Sequence, residues 1–145
     1  MSQTIEQTLQ HGVTAHLEGK LQDAERLYRA ILSSEPHHPD ANHNLGVLAV
    51  SVNKAGAALP LFKTALEANP KIEQFWLSYI DALIKEHQFE AAKQVINQAE
   101  KQGADREKLN LLEASLSSIK KEKDVHSPPQ LRALLISRGR RWKAW

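Results

Sequence analysis

Cysteine is absent from the 145 residues. Its absence excludes disulfide frameworks, thiolate zinc sites and cysteine nucleophiles. The six glycines are scattered rather than gathered into a phosphate-cradling loop. The stretch from Gly12 to Gly19-Lys20-Leu21 has the wrong spacing and lacks the hydroxyl that such a loop sets on magnesium, so nucleotide hydrolysis is not expected. There is no HExxH pair, no Gly-x-Ser-x-Gly elbow and no Cys/His constellation. With Asp and Glu falling mostly on predicted solvent faces, neither an enzyme nor a cofactor site is expected. Apolar runs are short: Leu45 to Val50 falls far below the roughly 20 residues that span a bilayer. No basic residue precedes Lys20, so MSQTIEQTLQHG does not read as a secretory leader, and the cytoplasm is the expected location.

What remains is ordinary globular composition, with 41% hydrophobic and 25% charged residues and a mean hydropathy of −0.47. The net charge of +2 is unevenly spread. Residues 1–70 hold 5 basic and 7 acidic side chains, and residues 71–145 hold 14 and 10. Arg132, Arg138, Arg140, Arg141 and Lys143 all fall in the last fifteen residues, where no acid occurs.

A shift of 34 residues aligns the chain with itself. Gly12 falls on Gly46, Ala15 on Ala49 and Leu83, Ala24 on Ala58 and Ala92, Tyr28 on Phe62 and Ile96, and Pro36 on Pro70. A fixed period of this length marks a stacked repeat architecture. Each period carries two apolar helical patterns, joined at Gly19, Asn53 or His87 and closed by Pro36 or Pro70. The unit is therefore a helical hairpin. In the first, Leu9, Val13 and Leu17 form one stripe and Leu21, Ala24, Leu27, Tyr28, Ile31 and Leu32 another. Gly12 and Ala24 let the helices approach, and Tyr28 or Phe62 fills space toward the next hairpin.

These residues resemble the tetratricopeptide repeat, with its 34-residue period and spaced Trp, Leu-Gly, Tyr, Ala, Phe and Pro. Trp76 and Tyr79, then Leu45, Gly46, Ala58, Phe62 and Pro70, then Gly12, Ala24, Tyr28 and Pro36 carry the resemblance across about residues 5–106. Thr8 and Asn42 stand where the family favours Trp, Ile80 replaces the small Gly, and Ala104 replaces the closing Pro. The resemblance implies an all-α right-handed superhelix with repeats at about 5–38, 39–72 and 73–106. Asp105 then N-caps a capping helix at about 105–123, in which Leu109, Leu112, Leu116 and Ile119 form one stripe over the last hairpin. The domain is thus 5–123, and 124–145 is a linker with a basic tail. Leu131 to Trp145 reads as the start of a further repeat cut off before its second helix; a frayed end and a functional basic tail are the alternatives.

In a superhelix of this family the first helix of each pair lines a concave groove that holds a peptide or a partner's helix. The groove residues are then Leu9, Gln10, Val13 and Leu17; His43, Asn44, Val47 and Ser51; and Leu77, Ser78, Asp81 and Lys85. Gln10, Asn44 and Ser78 stand one repeat apart and would form a polar ladder along the floor. In the repeat arm of the O-linked N-acetylglucosamine transferases, asparagines at this site hold peptide backbone, and Asn44 matches by identity. Solvated surface polarity is the alternative for all three. The carboxylate clamp that some relatives use for acidic tails needs cations where Leu9, Val13 and Ser78 stand, and an asparagine where Gln74 stands, so that partner class is not expected.

The function that follows is a non-catalytic protein-interaction module. The pattern AERLYRAILSSEPHHPDANHNLGVLAV also resembles repeat arms that precede bacterial glycosyltransferase, sulfotransferase or methyltransferase domains, which implies substrate presentation for an enzyme outside this chain. Self-association as a homo-oligomer is the competing class. The Arg138 to Trp145 segment mixes cations with aromatics, but the body has no basic stripe, so nucleic acid is a disfavoured partner. His37, His38 and His43 around Pro39-Asp40 offer imidazole and carboxylate ligands, yet two of them fall in an inter-hairpin loop, and no metal site is assigned.

Overall fold

The computed structural model describes residues 3–124, with side chains through Ile119. The readings of the tail at 125–145 lie outside the described residues. Within them the chain forms α1 (Ile5–Leu17), α2 (Leu21–Ser34), α3 (Pro39–Ser51), α4 (Ala55–Ala68), α5 (Glu73–Lys85), α6 (Phe89–Lys101) and α7 (Arg106–Asp124). Helices α1/α2, α3/α4 and α5/α6 are antiparallel hairpins, and α7 packs on α5 and α6. Helices α1 and α3 approach closely, as do α3 and α5, whereas the backbones of α2 and α4 do not come comparably near, nor do those of α4 and α6. Packing the odd helices side by side while the even ones splay apart curves the stack toward the odd helices. This makes an all-α superhelical solenoid whose concave face belongs to α1, α3 and α5.

The turns explain the hairpins. Gly19 (φ 78°), Asn53 (φ 62°) and His87 (φ 58°) all adopt left-handed backbone. In each case the next residue's N–H reaches back five positions, Lys20 to Ala15, Lys54 to Ala49 and Gln88 to Leu83, capping the helix just ended. The same device ends α6, with Gly103 at φ 92° and Ala104 N–H donating to the Ala99 carbonyl at 3.0 Å. Proline has no N–H to give, so Ala104 in place of the repeat's closing proline is what this cap requires.

Two further departures from the repeat pattern, Ile80 and Asn42, have local compensations. The ring of Tyr28 lies over Gly12, where an added Cβ would sit 2.7 Å from the ring, and Phe62 lies over Gly46 at 2.5 Å. In the third hairpin the small residue becomes Ile80 and the aromatic becomes Ile96, both buried in one cluster. The volume is redistributed rather than added. Tyr28 also extends toward the next hairpin, sharing a buried cluster with Leu45 and Leu48. Asn42, at the tryptophan position, is 3% exposed. Its Nδ2 donates to the Pro36 carbonyl at 3.0 Å and the His38 carbonyl at 2.9 Å. One repeat later the Trp76 indole N–H donates to the Pro70 carbonyl at 2.7 Å. The amide thus keeps the bond that ties each hairpin to the proline before it, while giving up the indole's bulk.

Both ends are capped. Thr4 Oγ1 accepts the Gln7 N–H at 3.1 Å and Gln7 Oε1 accepts the Thr4 N–H at 3.0 Å, a reciprocal capping box that opens α1. At the other end Asp105 Oδ1 accepts the Glu107 N–H at 2.8 Å. Leu109 and Leu116 are buried against the third hairpin, with Leu112 and Ile119 beside them. Glu73 pins the start of α7 to the start of α5 by accepting from Lys108 Nζ at 2.6 Å and from the Asp105 N–H at 2.9 Å. The Lys108 hydrogen bond, then that N–H, hold the Glu73 carboxyl below its ordinary range, and the lysine is raised in turn.

Candidate functional site

A cavity of about 390 Å³ opens on the concave face where α1, α2, α3 and α5 converge. Of the twelve groove residues expected from the repeat phase, Val13, Leu17, His43, Asn44 and Val47 line it. His16, Tyr28 and Gln74 complete the wall, and the 34-residue phase alone did not place them there. Leu17 is 84% exposed, an apolar side chain at the rim that the described residues leave largely uncovered.

The other seven expected residues stand apart from this cavity. Leu9 packs onto the first core cluster and Leu77 onto the last, so both serve partly as core. Asp81 and Lys85 pair with each other at 2.5 Å along α5. Ser51 Oγ donates to the Leu48 carbonyl at 2.6 Å, and Gln10 is exposed. Ser78 is not an open rung of a ladder, because its Oγ lies 2.8 Å from His43 Nε2 and 3.2 Å from the Gln74 amide nitrogen. The polar element that exists runs across α3 and α5 instead, as Gln74, Ser78, His43 and Asn44.

His43 is the centre of that chain. It is only 8% exposed, with its ring 4.8 Å from Phe75 and 5.5 Å from Phe62 between centroids. Its Nδ1 lies 3.3 Å from Asn44 Oδ1. Burial pushes its pKa down, opposed more weakly by the Asn44 hydrogen bond and by the charge of Asp40. His16 is lowered for the same reason, beside Tyr28, whose hydroxyl lies 3.2 Å from His16 Nδ1. Burial pushes the Tyr28 phenol up. Burial thus favours the uncharged form of all three groups, and the cavity presents apolar side chains and polar groups without a fixed charge.

The histidine-rich turn does other work. His38 Nδ1 accepts the Ala41 N–H at 3.1 Å, an N-cap for α3, and His43 is buried among rings. Among the described residues no three His, Cys, Asp or Glu side chains gather as a metal-holding group. Nor is any helix among them long and apolar enough to cross a membrane.

Against known proteins, residues 49–116 match the family model of the tetratricopeptide repeat. Residues 49–116 are tetratricopeptide repeat sequence. Its fold is similar to the Sgt2 tetratricopeptide repeat domain from Aspergillus fumigatus, with a TM-score of 0.70 and 20% identity over 86% of this chain and 85% of that one. The TPR2B domain of yeast Sti1, solved as a pHsp70 complex, gives 0.72 and 14% identity over 79% and 96%. Yersinia enterocolitica SycD, solved with a peptide of the translocator YopD, gives 0.71 and 18% over 85% and 97%. No curated protein matches this sequence. At these identities the tetratricopeptide repeat fold is shared, while the residues lining each groove are free to differ.

Proposed function

We propose that this tetratricopeptide repeat domain is a non-catalytic, cytoplasmic protein-interaction module that receives a peptide or a partner's helix on its concave face. One observation carries the reading: the 390 Å³ cavity gathers five residues expected in the groove, and its rim leaves Leu17 uncovered. A preformed cavity with few mobile groups costs little ordering on binding, and an apolar floor with a few placed amides suits one buried anchor and one backbone contact. The solved complexes of SycD with a YopD peptide and of the Sti1 domain with pHsp70 support a peptide-receiving role by analogy of fold.

The test is selection from a random peptide display library on the full chain, followed by counter-screening on two variants. Val47→Asp puts an unpaired carboxylate on the cavity wall, and Asn44→Ala removes the amide. Selected peptides should lose about tenfold or more in affinity for Val47→Asp and a few-fold for Asn44→Ala, with both variants keeping helical content. Peptides that bind wild type and both variants equally would refute the groove as the site. Light-scattering mass across a concentration series separates this from self-association, which predicts a mass that grows with concentration.

A further inference from the structure

The partner's chemistry can be read from the direction of the hydrogen bonds around His43. With the Asn44 amide placed so that Oδ1 faces the ring, that oxygen can only accept, which assigns the imidazole proton to Nδ1. Nε2 is then an acceptor, and the Ser78 hydroxyl donates to it across 2.8 Å. Ser78 Oγ in turn accepts from the Gln74 amide. The donors run one way, from Gln74 through Ser78 and His43 to Asn44, and only an uncharged imidazole has one donor and one acceptor to carry that direction. Its far end is the Asn44 amide, whose oxygen is engaged and whose Nδ2 has no hydrogen-bond partner among the described residues. That amide lines the cavity with Val13, Leu17 and Val47.

We propose that His43 is a positioning residue that holds the Asn44 amide with its N–H donors toward the cavity, so that the cavity selects an uncharged apolar side chain together with the backbone carbonyl beside it. This rests on the groove reading above and goes beyond it by naming the partner's chemistry: an aliphatic anchor, not an acidic one. A carboxylate placed there would lose its water with no cation among the lining residues to meet it. The groups around the imidazole are consistent with a neutral site. His16 from α1 and Tyr28 from α2 share the cavity, Asp40 lies one turn back on α3, α4 presents Phe62, and α5 presents Phe75, Ser78 and Gln74, with Asp81 already paired to Lys85. Protonating His43 would make both nitrogens donors, reverse the Ser78 bond and put a positive charge beside the anchor. Selection should then turn toward a carboxylate.

The experiment uses the full chain in NMR, with two blocked pentapeptides as probes, glycines flanking a central leucine or a central glutamate. At pH 7.5 the long-range nitrogen spectrum should show the His43 proton on Nδ1, the less common tautomer of a free imidazole. The leucine probe should shift the Asn44 side-chain amide and the Val13, Leu17 and Val47 methyls, with at least about fivefold higher affinity than the glutamate probe. His43→Phe keeps a ring against Phe62 and Phe75 but ends the relay, and should weaken the leucine probe about fivefold. Ser78→Ala, on a half-buried position, should do the same should His43→Phe fail to fold. Below the His43 pKa the preference of wild type for leucine should narrow or invert, and in Ser78→Ala it should be less pH-dependent. A proton on Nε2, equal affinities for the two probes, no shift with the leucine probe, or full affinity in Ser78→Ala would each overturn the proposal. Library peptides that need Val47 but share an acidic consensus would overturn it while leaving the interaction module standing.

Discussion

Replacing Gly46 by alanine sets two effects of known size against each other. Alanine is the better helix former by about 1 kcal/mol, and Gly46 lies inside α3, so an uncrowded site would gain stability. The site is crowded. The new Cβ would stand 2.5, 2.8 and 2.9 Å from Cε1, Cδ1 and Cζ of Phe62, where carbon atoms settle at about 3.5–4.0 Å. The ring must therefore retreat by roughly 1 Å. It has nowhere ready to go, being 1% exposed among Ala49, Ala55, Ala58 and Ala82 with His43 across it. Overpacking costs about 1–3 kcal/mol, and a ring this confined puts the site in the upper part of that range, about 2–3 kcal/mol, so after the helix gain of about 1 kcal/mol a net loss of about 1–2 kcal/mol remains. In a chain of this size that lowers Tm by roughly 3–10 °C. Circular dichroism melts of wild type, Gly46→Ala, Phe62→Leu and the double variant make the assay. The third hairpin, with Ile80 and Ile96 in these places, predicts that shrinking the ring relieves the clash, so the double variant should be more stable than the sum of the singles by at least about 0.5 kcal/mol. Gly56→Ala is the control, since the nearest atoms its Cβ would meet are those of the Glu86 carboxylate at 3.4 Å, an ordinary contact, and it should be neutral or slightly stabilising. A Tm for Gly46→Ala at or above that of wild type, or strict additivity in the double variant, would refute the packing argument.

Asn42→Ala should cost about 1–3 kcal/mol in urea unfolding, because it strips the donor from two carbonyls behind a buried side chain; a loss under about 0.3 kcal/mol would mean water replaces it freely. Acid should weaken the fold above the range where carboxylates titrate. His43 and His16 have folded-state pKa values below the ordinary 6.5, so the unfolded chain takes up protons first as pH falls. Stability is then complete above about pH 6.5, declines as pH drops from there through the folded-state values, and levels off below them. Urea melts at pH 7.5 and 5.0 should show the decline, and His43→Phe should reduce it; a flat profile would count against burial of these imidazoles. Ala58→Trp, at a fully buried contact within the second hairpin, should lower stability by about 1–3 kcal/mol or more, and an unchanged melt would contradict that contact.

The hairpins were legible because their determinants are local and repeat at a fixed interval. Phase marks Gly19, Asn53 and His87 as turn sites, and all three take left-handed backbone, although only one is glycine. Helical spacing marks Leu109, Leu112, Leu116 and Ile119 as a stripe, and that stripe faces the third hairpin. The departures from the pattern were visible, but their compensations were not. Nothing in the spacing says that the amide of Asn42 does the work of an indole N–H, or that Ala104 is needed because its N–H closes a cap. Each depends on where one carbonyl oxygen lies in space.

The groove was legible only as a face. Helical phase puts Leu9, His43 and Leu77 in equivalent places, and the structure gives them different tasks: two lean on the core clusters and one organises a polar chain. Equivalence in a repeat fixes the direction in which a side chain leaves its helix, but not what stands opposite, because the neighbour comes from the next repeat and need not be equivalent. His43 meets Ser78, one repeat on plus one residue, and Phe75, three residues before Ser78. One repeat earlier the pair equivalent to His43 and Ser78 is Leu9 and Asn44, and Leu9 has no ring nitrogen to relay a hydrogen bond. Among the described residues the polar chain therefore exists once. A ligand that reads it can lie on the concave face in one register only, which a ladder of three equivalent rungs could not enforce.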